Sequence, residues 1–198
     1  MKKLFLLLLT VLSVTFTLAQ KRKVNGERSV KVASSDIRWF GYKVVKTEPT
    51  THTGFVKLKN GKFHFKNQTV IGGDFVIDMR SLQNTDLEGE DQKKLTDDLK
   101  NYYFFDVKKY PIAKFTITKI IPLKNSEYNT EVVGNIIIKG IRKTITFPAN
   151  IKTNGYSVNF QSAKFSLNRQ DFKAFYRSSI RDFIIKDQID FVVNLSTQ

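Results

Sequence analysis

The side chains able to do chemistry are few and scattered. His52 and His64 are the only imidazoles in 198 residues, and there is no cysteine, so neither the ligand set nor the spacing of a zinc site is present. His52 shares its parity with Val56 and Leu58, which places it at the inner rim of a strand with a structural hydrogen bond as its expected role, whereas His64 points outward opposite Lys57. Asp86, Glu88, Glu90 and Asp91 are dense enough to suggest calcium, but their order departs from the EF-hand loop, and a solvated helix face is expected instead. Asp74 and Asp78 are paired carboxylates of the kind glycosidases use, yet both fall on the polar face of their strand. The chain contains no G-x-S-x-G elbow, zinc-protease motif, phosphate loop or thiol nucleophile. The residues therefore give no reason to expect catalysis, a metal or a cofactor. Arg38, Arg169, Arg177 and Arg181 are the basic groups placed to pair with Asp171, Asp182 or another carboxylate, or else to hold a phosphate or carboxylate head group.

The other conspicuous stretch is "YYFFDVKKYP", Tyr102 to Pro111, where four aromatic rings stand side by side. Such rings either pack a helix end over a core or form the wall and mouth of a cavity.

The elements that would carry these groups are strands. In "GFVKLKNGKFHF", Asn60-Gly61 is a type I′ hairpin signal; a two-residue loop there pairs Leu58 with Phe63 and Val56 with Phe65, with all four on one face. A period of two returns in Phe75/Ile77/Met79, in Phe115/Ile117, in Ile145/Phe147/Ala149/Ile151 and in Ile189/Phe191/Val193/Leu195. Further strands are expected over Ile37–Val45, Val132–Lys139 and Tyr156–Leu167, the last with a bulge where the inward face changes between Phe160 and Phe165. One helix is expected, with Leu95, Leu99 and Tyr102 on one side, a capping box at Thr85 and Glu88, and Asn101 at its end. Eight or nine one-sided antiparallel strands with a single helix must cover an apolar face, and the economical solution is to curl it inward as a barrel. Gly41, Gly54 and Gly134 mark bends or close approaches within it.

The opening "MKKLFLLLLTVLSVTFTLAQ" has the order of a secretory signal peptide with cleavage after Ala19, leaving residues 20–198 as one exported domain, periplasmic or secreted and without a lipid-attachment cysteine. Removing Lys2 and Lys3 from the net charge of +15 leaves +13. A field of that sign draws anionic lipid surfaces, polyanionic glycans or nucleic acid, and export makes nucleic acid the poorest fit. The basic residues are nevertheless spread along the chain as solvated outer faces would require.

The segments "SSDIRWFGYKV", "THTGFVKLKNGKFHF" and "GGDFVIDMRSLQNTD" resemble the YceI-like family, as do the helix running into "LTDDLKNYYFFDVKKYPIAKFTITKI", then "VVGNIIIKGIRKTITFPANI", "FSLNRQDF" and "DQIDFVVNL". The resemblance runs from about Ser34 to Leu195. It implies an exported bacterial protein with an extended lipocalin-like antiparallel β-barrel whose elongated interior binds a polyisoprenoid or similar long amphiphilic lipid. Two departures add apolar bulk: Asn101-Tyr102-Tyr103 replaces a small or acidic pair, and Ile137 stands where threonine is usual. On this reading the ligand wall is drawn from Trp39, His52, Val56, Leu58, Phe63 and Phe65 in the first strands, and from Phe75 and Ile77 in the next. Phe104 and Phe105 come from the aromatic run, Phe115, Ile117, Ile136, Ile138 and Phe147 from the middle strands, and Phe165, Arg169 and Phe191 from the last. Two alternatives stand beside it: a filled barrel acting as an electrostatic surface module, and a lipid-modifying enzyme. A homodimer is left open.

Overall fold

The computed structural model describes residues 26–45, 48–176 and 183–198. The expected signal peptide, Arg177, Arg181 and Asp182 lie outside the described residues. Among these residues ten strands and one α-helix follow one another as β1 (Glu27–Lys31), β2 (Ser34–Val45), β3 (Glu48–Lys66), β4 (Thr69–Asn84), α1 (Gly89–Lys100), β5 (Ile112–Pro122), β6 (Thr130–Ile138), β7 (Ile141–Asn154), β8 (Ser157–Ser162), β9 (Phe165–Asn168) and β10 (Phe183–Ser196), with a short 3-10 turn at Arg169–Phe172 after β9.

The pairing is antiparallel throughout and closes on itself, in the order β3-β2-β10-β8-β7-β6-β5-β4 and back to β3. Two staves of this eight-stranded barrel are each built from two strands. β1 and β2 both pair with β3, as Val30 with Phe63 and Arg38 with Phe55, and β8 and β9 both pair with β10, as Phe160 with Leu195 and Phe165 with Phe191. What the sequence presents as a bulge between Phe160 and Phe165 is this break, where Ala163 turns its N–H to the Pro148 carbonyl. Closure matters energetically, because it leaves no continuous open sheet edge.

The expected hairpin at Asn60-Gly61 does not form. β3 runs through both residues as one long strand, and the turn lies at Asn67-Gln68, whose φ values of 50° and 64° are those of a type I′ loop. Gly61 serves close approach instead: a Cβ there would stand 2.7 Å from the Phe75 ring. Val56, Leu58, Phe63 and Phe65 still share the inner face, because the β3–β4 register slips between Leu58 and Asn60 and the extra residue reverses the alternation.

Helix α1 has Glu88 at its N-cap without a side-chain capping bond, so the capping box at Thr85 is also corrected. The root of the helix is held instead by Asn84, which is fully buried. Its backbone N–H donates to Thr96 Oγ1, its carbonyl accepts from Gln92, its amide donates to the Thr53 carbonyl and to Asp86, and its side-chain oxygen accepts from Leu87 N–H. Asn101 ends the helix as expected.

Candidate ligand cavity

All strands alternate inward and outward, yet the two ends of the interior are filled differently. Toward the Asn67-Gln68 turn, Phe63, Phe65, Val132 and Val158 are sealed from solvent. They pack with Val70, Phe160, Ala149 and Leu195 into a continuous apolar plug. Phe63 meets the Phe75 ring edge to face at 5.2 Å, and Phe65 meets Tyr156 at 5.3 Å in the same way. Phe63 and Phe65 are thus removed from the expected ligand wall. Both are aromatic and inward, which parity alone cannot separate from a wall position.

Toward the other end the side chains stand apart and leave a hollow of about 470 Å³, a volume within the ordinary range of small-molecule pockets. Its floor is the upper layer of the plug, where Phe75, Phe147 and Phe165 meet further rings: Phe147 and Phe165 stack at 4.3 Å and Phe165 and Phe191 at 5.9 Å. The wall contains Trp39, Val56, Leu58, Ile77, Phe115, Ile117, Ile136 and Ile138, with His52 and Arg169 at its polar edge. Phe104 and Phe105 reach it from the chain after α1 and are buried there, so two rings of "YYFFDVKKYP" belong to the cavity while Tyr102 faces outward. A barrel filled from end to end, the basis of the surface-module alternative, is not what forms: only one end is filled.

Glycine makes room for the wall. A Cβ on Gly54 would collide with the Trp39 ring and the Gln83 carbonyl, and one on Gly134 with the Phe115 ring and the Thr116 carbonyl. The Trp39 ring is buried in this socket and its Nε1 has no hydrogen-bond partner among the described residues, an arrangement that costs about 1–3 kcal/mol.

Sequence reasoning missed the rim. Leu87, Asp91, Lys94, Leu95, Asp98 and Leu99 of the α1 region face the hollow, as do Tyr42, Lys43, Tyr176 and Lys186 from the strand ends opposite. The leucine spacing of the helix was a usable signal for its inward side; the charged rim groups carry none. Tyr103 donates to Asp98 Oδ1 at 2.6 Å, and burial together with that carboxylate raises its phenol pKa.

The candidate polar groups are engaged structurally. His52 Nδ1 lies 2.8 Å from Asp86, the hydrogen bond expected of it. Asp86 is no solvated helix acid: burial pushes its carboxyl pKa up, but bonds from Thr53 N–H, His52 and Asn84 outweigh that and hold it below its ordinary value. Arg38 pairs with Asp36 and Asp78 with Arg80, both on the outer face. Arg169 is buried, donates to the Ala174 carbonyl at 2.7 Å, more loosely to the Lys186 and Ile185 carbonyls, and pairs with Asp187 at 2.8 Å. Its donors clamp the chain beyond β9 against the start of β10 while its side chain also borders the hollow.

One outer-face arrangement has the order of a hydrolase triad. Ser29 Oγ is 2.9 Å from His64 Nδ1, and His64 Nε2 is 2.8 Å from Asp74, whose carboxyl pKa is lowered chiefly by that bond. His64 faces outward as expected, but its cross-strand partners are Ser29 and Gly72 rather than Lys57. The three residues span β1, β3 and β4 on an open sheet face, away from the hollow. A triad works with oxyanion donors and a place for the acyl group; here the cluster pins three neighbouring strands. Among the described residues no group of His, Cys, Asp and Glu is placed to hold a metal ion.

A closed eight-stranded antiparallel barrel with a one-ended apolar hollow under a single helix defines a class of internal-cavity barrel proteins. The YceI-like domain model matches residues 14–197, and the chain belongs to that family. Among solved structures it is similar to BcnA of Burkholderia cenocepacia, at 23% identity and a TM-score of 0.62 over 84% of this chain and 98% of that one. It is also similar to a polyisoprenoid binding domain from Saccharophagus degradans implicated in plant cell wall breakdown, at 13% identity and a TM-score of 0.58 over 87% of this chain and 97% of that one. Both likenesses bear on the fold. No curated protein matches the chain.

Proposed function

We propose that this protein binds a polyisoprenoid or another long amphiphilic lipid, with the apolar tail in the hollow and the polar head among the rim groups of α1 and the facing strand ends. The observation that carries the reading is the contrast within one interior: a sealed plug at one end and an unfilled, largely apolar space of about 470 Å³ at the other. At roughly 25 cal/mol per Å² of apolar surface, a tail burying a few hundred Å² gains several kcal/mol before ordering costs. The polyisoprenoid binding domain of similar fold supports the chemical class. Binding of this kind needs no catalytic group, and none is assigned. Native mass spectrometry of protein isolated gently from cells tests it: a co-purifying lipid is the expected result, and a bare protein that also ignores a fluorescent prenyl probe sinks it.

The same proposal includes export. The lysine pair, the apolar run from Leu4 and the small residue Ala19 support a cleaved leader and a periplasmic or secreted product. The intact mass of the protein from the periplasm or medium is expected to begin at Gln20; an unprocessed chain confined to the cytoplasm contradicts it.

A further inference from the structure

Four large apolar side chains are exposed among the described residues, and three of them, Tyr102, Phe175 and Ile184, lie at the open end of the barrel. They are knit into one rim. Phe175 N–H donates to the Tyr103 carbonyl at 2.8 Å, the Tyr103 and Tyr176 rings meet at 6.1 Å, and the Arg169 guanidinium ties Ala174 to Ile185, the neighbours of Phe175 and Ile184. Tyr176 and Ile185 also line the hollow, so the apolar rim and the cavity entrance are continuous.

The charge beside this rim is predominantly positive. Lys100 stands two residues before Tyr102, and its carbonyl accepts from Val107 N–H, which brings Lys108 and Lys109 alongside. Lys139 Nζ donates to the Lys173 carbonyl at 2.8 Å, next to Phe175. The nearby acids are Asp98, engaged by Tyr103; Asp106, whose charge acts on Lys139; Asp187, paired with Arg169; Asp171, paired with Lys143; and Asp91. Lys43, Lys94 and Lys186, which line the hollow beside them, keep the balance positive. Exposed aromatic and branched side chains set among lysines are the composition of an interfacial membrane contact, in which the rings enter the head-group layer and the ammonium groups meet lipid phosphates.

We propose that the open end of the barrel docks on an anionic phospholipid bilayer, with Tyr102, Phe175 and Ile184 inserted and the lysines on the lipid phosphates. The cavity then faces the bilayer and exchanges its ligand without exposing the tail to water. This rests on the lipid-binding reading above for its purpose, though not for its geometry.

Flotation with phosphatidylglycerol–phosphatidylethanolamine vesicles, against phosphatidylcholine alone, is the test. The protein is expected to float with the anionic vesicles and to release as salt rises. A variant combining Tyr102→Ser, Phe175→Ser and Ile184→Ser is expected to lose at least about tenfold in partitioning while melting as the parent does. Lys100→Gln with Lys173→Gln loses roughly fivefold per lysine on the anionic vesicles only. Ile71→Ser, at the plugged end, changes nothing. Rim variants that float like the parent, an equal loss from Ile71→Ser, or a solution dimer that buries Tyr102 overturns the proposal. Binding of a soluble prenyl probe, measured on the same variants without vesicles, reads the cavity separately: probe binding without flotation sinks the docking face and spares the cavity, and flotation without probe binding does the reverse.

Discussion

The two halves of the barrel share the same strands, the same alternation and much the same residue types, yet one is solid and the other hollow. At the plugged end phenylalanines interlock, Phe63 with Phe75 on the neighbouring strand and with Phe160 across the axis. At the open end Val56, Leu58, Ile77, Ile136, Gly41 and Ala113 line the space together with the rings of Trp39, Phe104, Phe105 and Phe115, which stand around it without closing it. How side chains meet across the axis, rather than hydrophobicity, decides which half holds space.

That contrast is broken or sharpened most strongly by truncating the plug. Phe63→Ala is expected to cost about 3–5 kcal/mol in a denaturant melt, because fully packed neighbours cannot close the void. Ile136→Ala on the hollow wall, which already lacks neighbours on one side, is expected to cost about 1 kcal/mol. Equal losses at the two positions would erase the difference. For binding the order inverts: Ile136→Trp fills space and lowers prenyl-probe affinity at least about tenfold with little change in stability, and an unchanged affinity would place the ligand elsewhere.

Arg169→Gln is expected to cost about 2 kcal/mol, since it strands buried carbonyls and Asp187 at the rim. Probe affinity in the surviving fold is expected to remain near the parent's, and a selective affinity loss would give it a head-group role. Asn84→Ala, which removes the donors and acceptor rooting α1, is expected to cost about 1–3 kcal/mol and to speed amide exchange in α1 before it does so in β6.

Acid acts on the same half. Asp86 and Asp190 have lowered folded pKa values, Asp190 through Ser166, Tyr42 and Gln188 in spite of burial. Groups depressed on folding stabilise above the unfolded carboxyl pKa of about 4 and lose that contribution as pH falls through the folded value. Thr53 N–H, bonded to Asp86, is therefore expected to exchange faster at pH 3 well before the amide of Phe63. At the other extreme, the Tyr42 phenol is raised to about 12 by its bond to Asp190. Its contribution is complete below the unfolded value of about 10 and disappears as pH rises through 12. The smallest effect belongs to His64→Ala, on a partly exposed contact: about 0.5 kcal/mol and no change in hydrolysis of a p-nitrophenyl ester. An ester activity that vanished with it would revive Ser29–His64–Asp74 as a site.

Barrel closure, the single helix, and most of the inward wall were legible because period-two alternation survives wherever one face is dry. The turn of β3 was not, since Asn60-Gly61 carries the stronger hairpin signal but is held extended by eight-strand closure, while Asn67-Gln68 takes positive φ without a glycine. The expected hairpin pairing placed Phe63 and Phe65 inward with Val56 and Leu58, an outcome the register slip in β3 produces by another route, but depth along the axis depends on barrel shear and stagger, which no local pattern encodes. The polar rim was illegible for a related reason: Tyr42, Lys186 and Asp98 come together only when β2, β10 and α1 meet in space.

A hollow that ends on a stack of phenylalanine rings is a blind well, and such a well grades its contents by length. A chain shorter than its depth sinks entirely, while one longer must fold back or leave its surplus above the entrance. Moving the Phe75–Phe147–Phe165 layer by one inward residue along the strands would change the permitted length by about 7 Å, with every group at the entrance untouched.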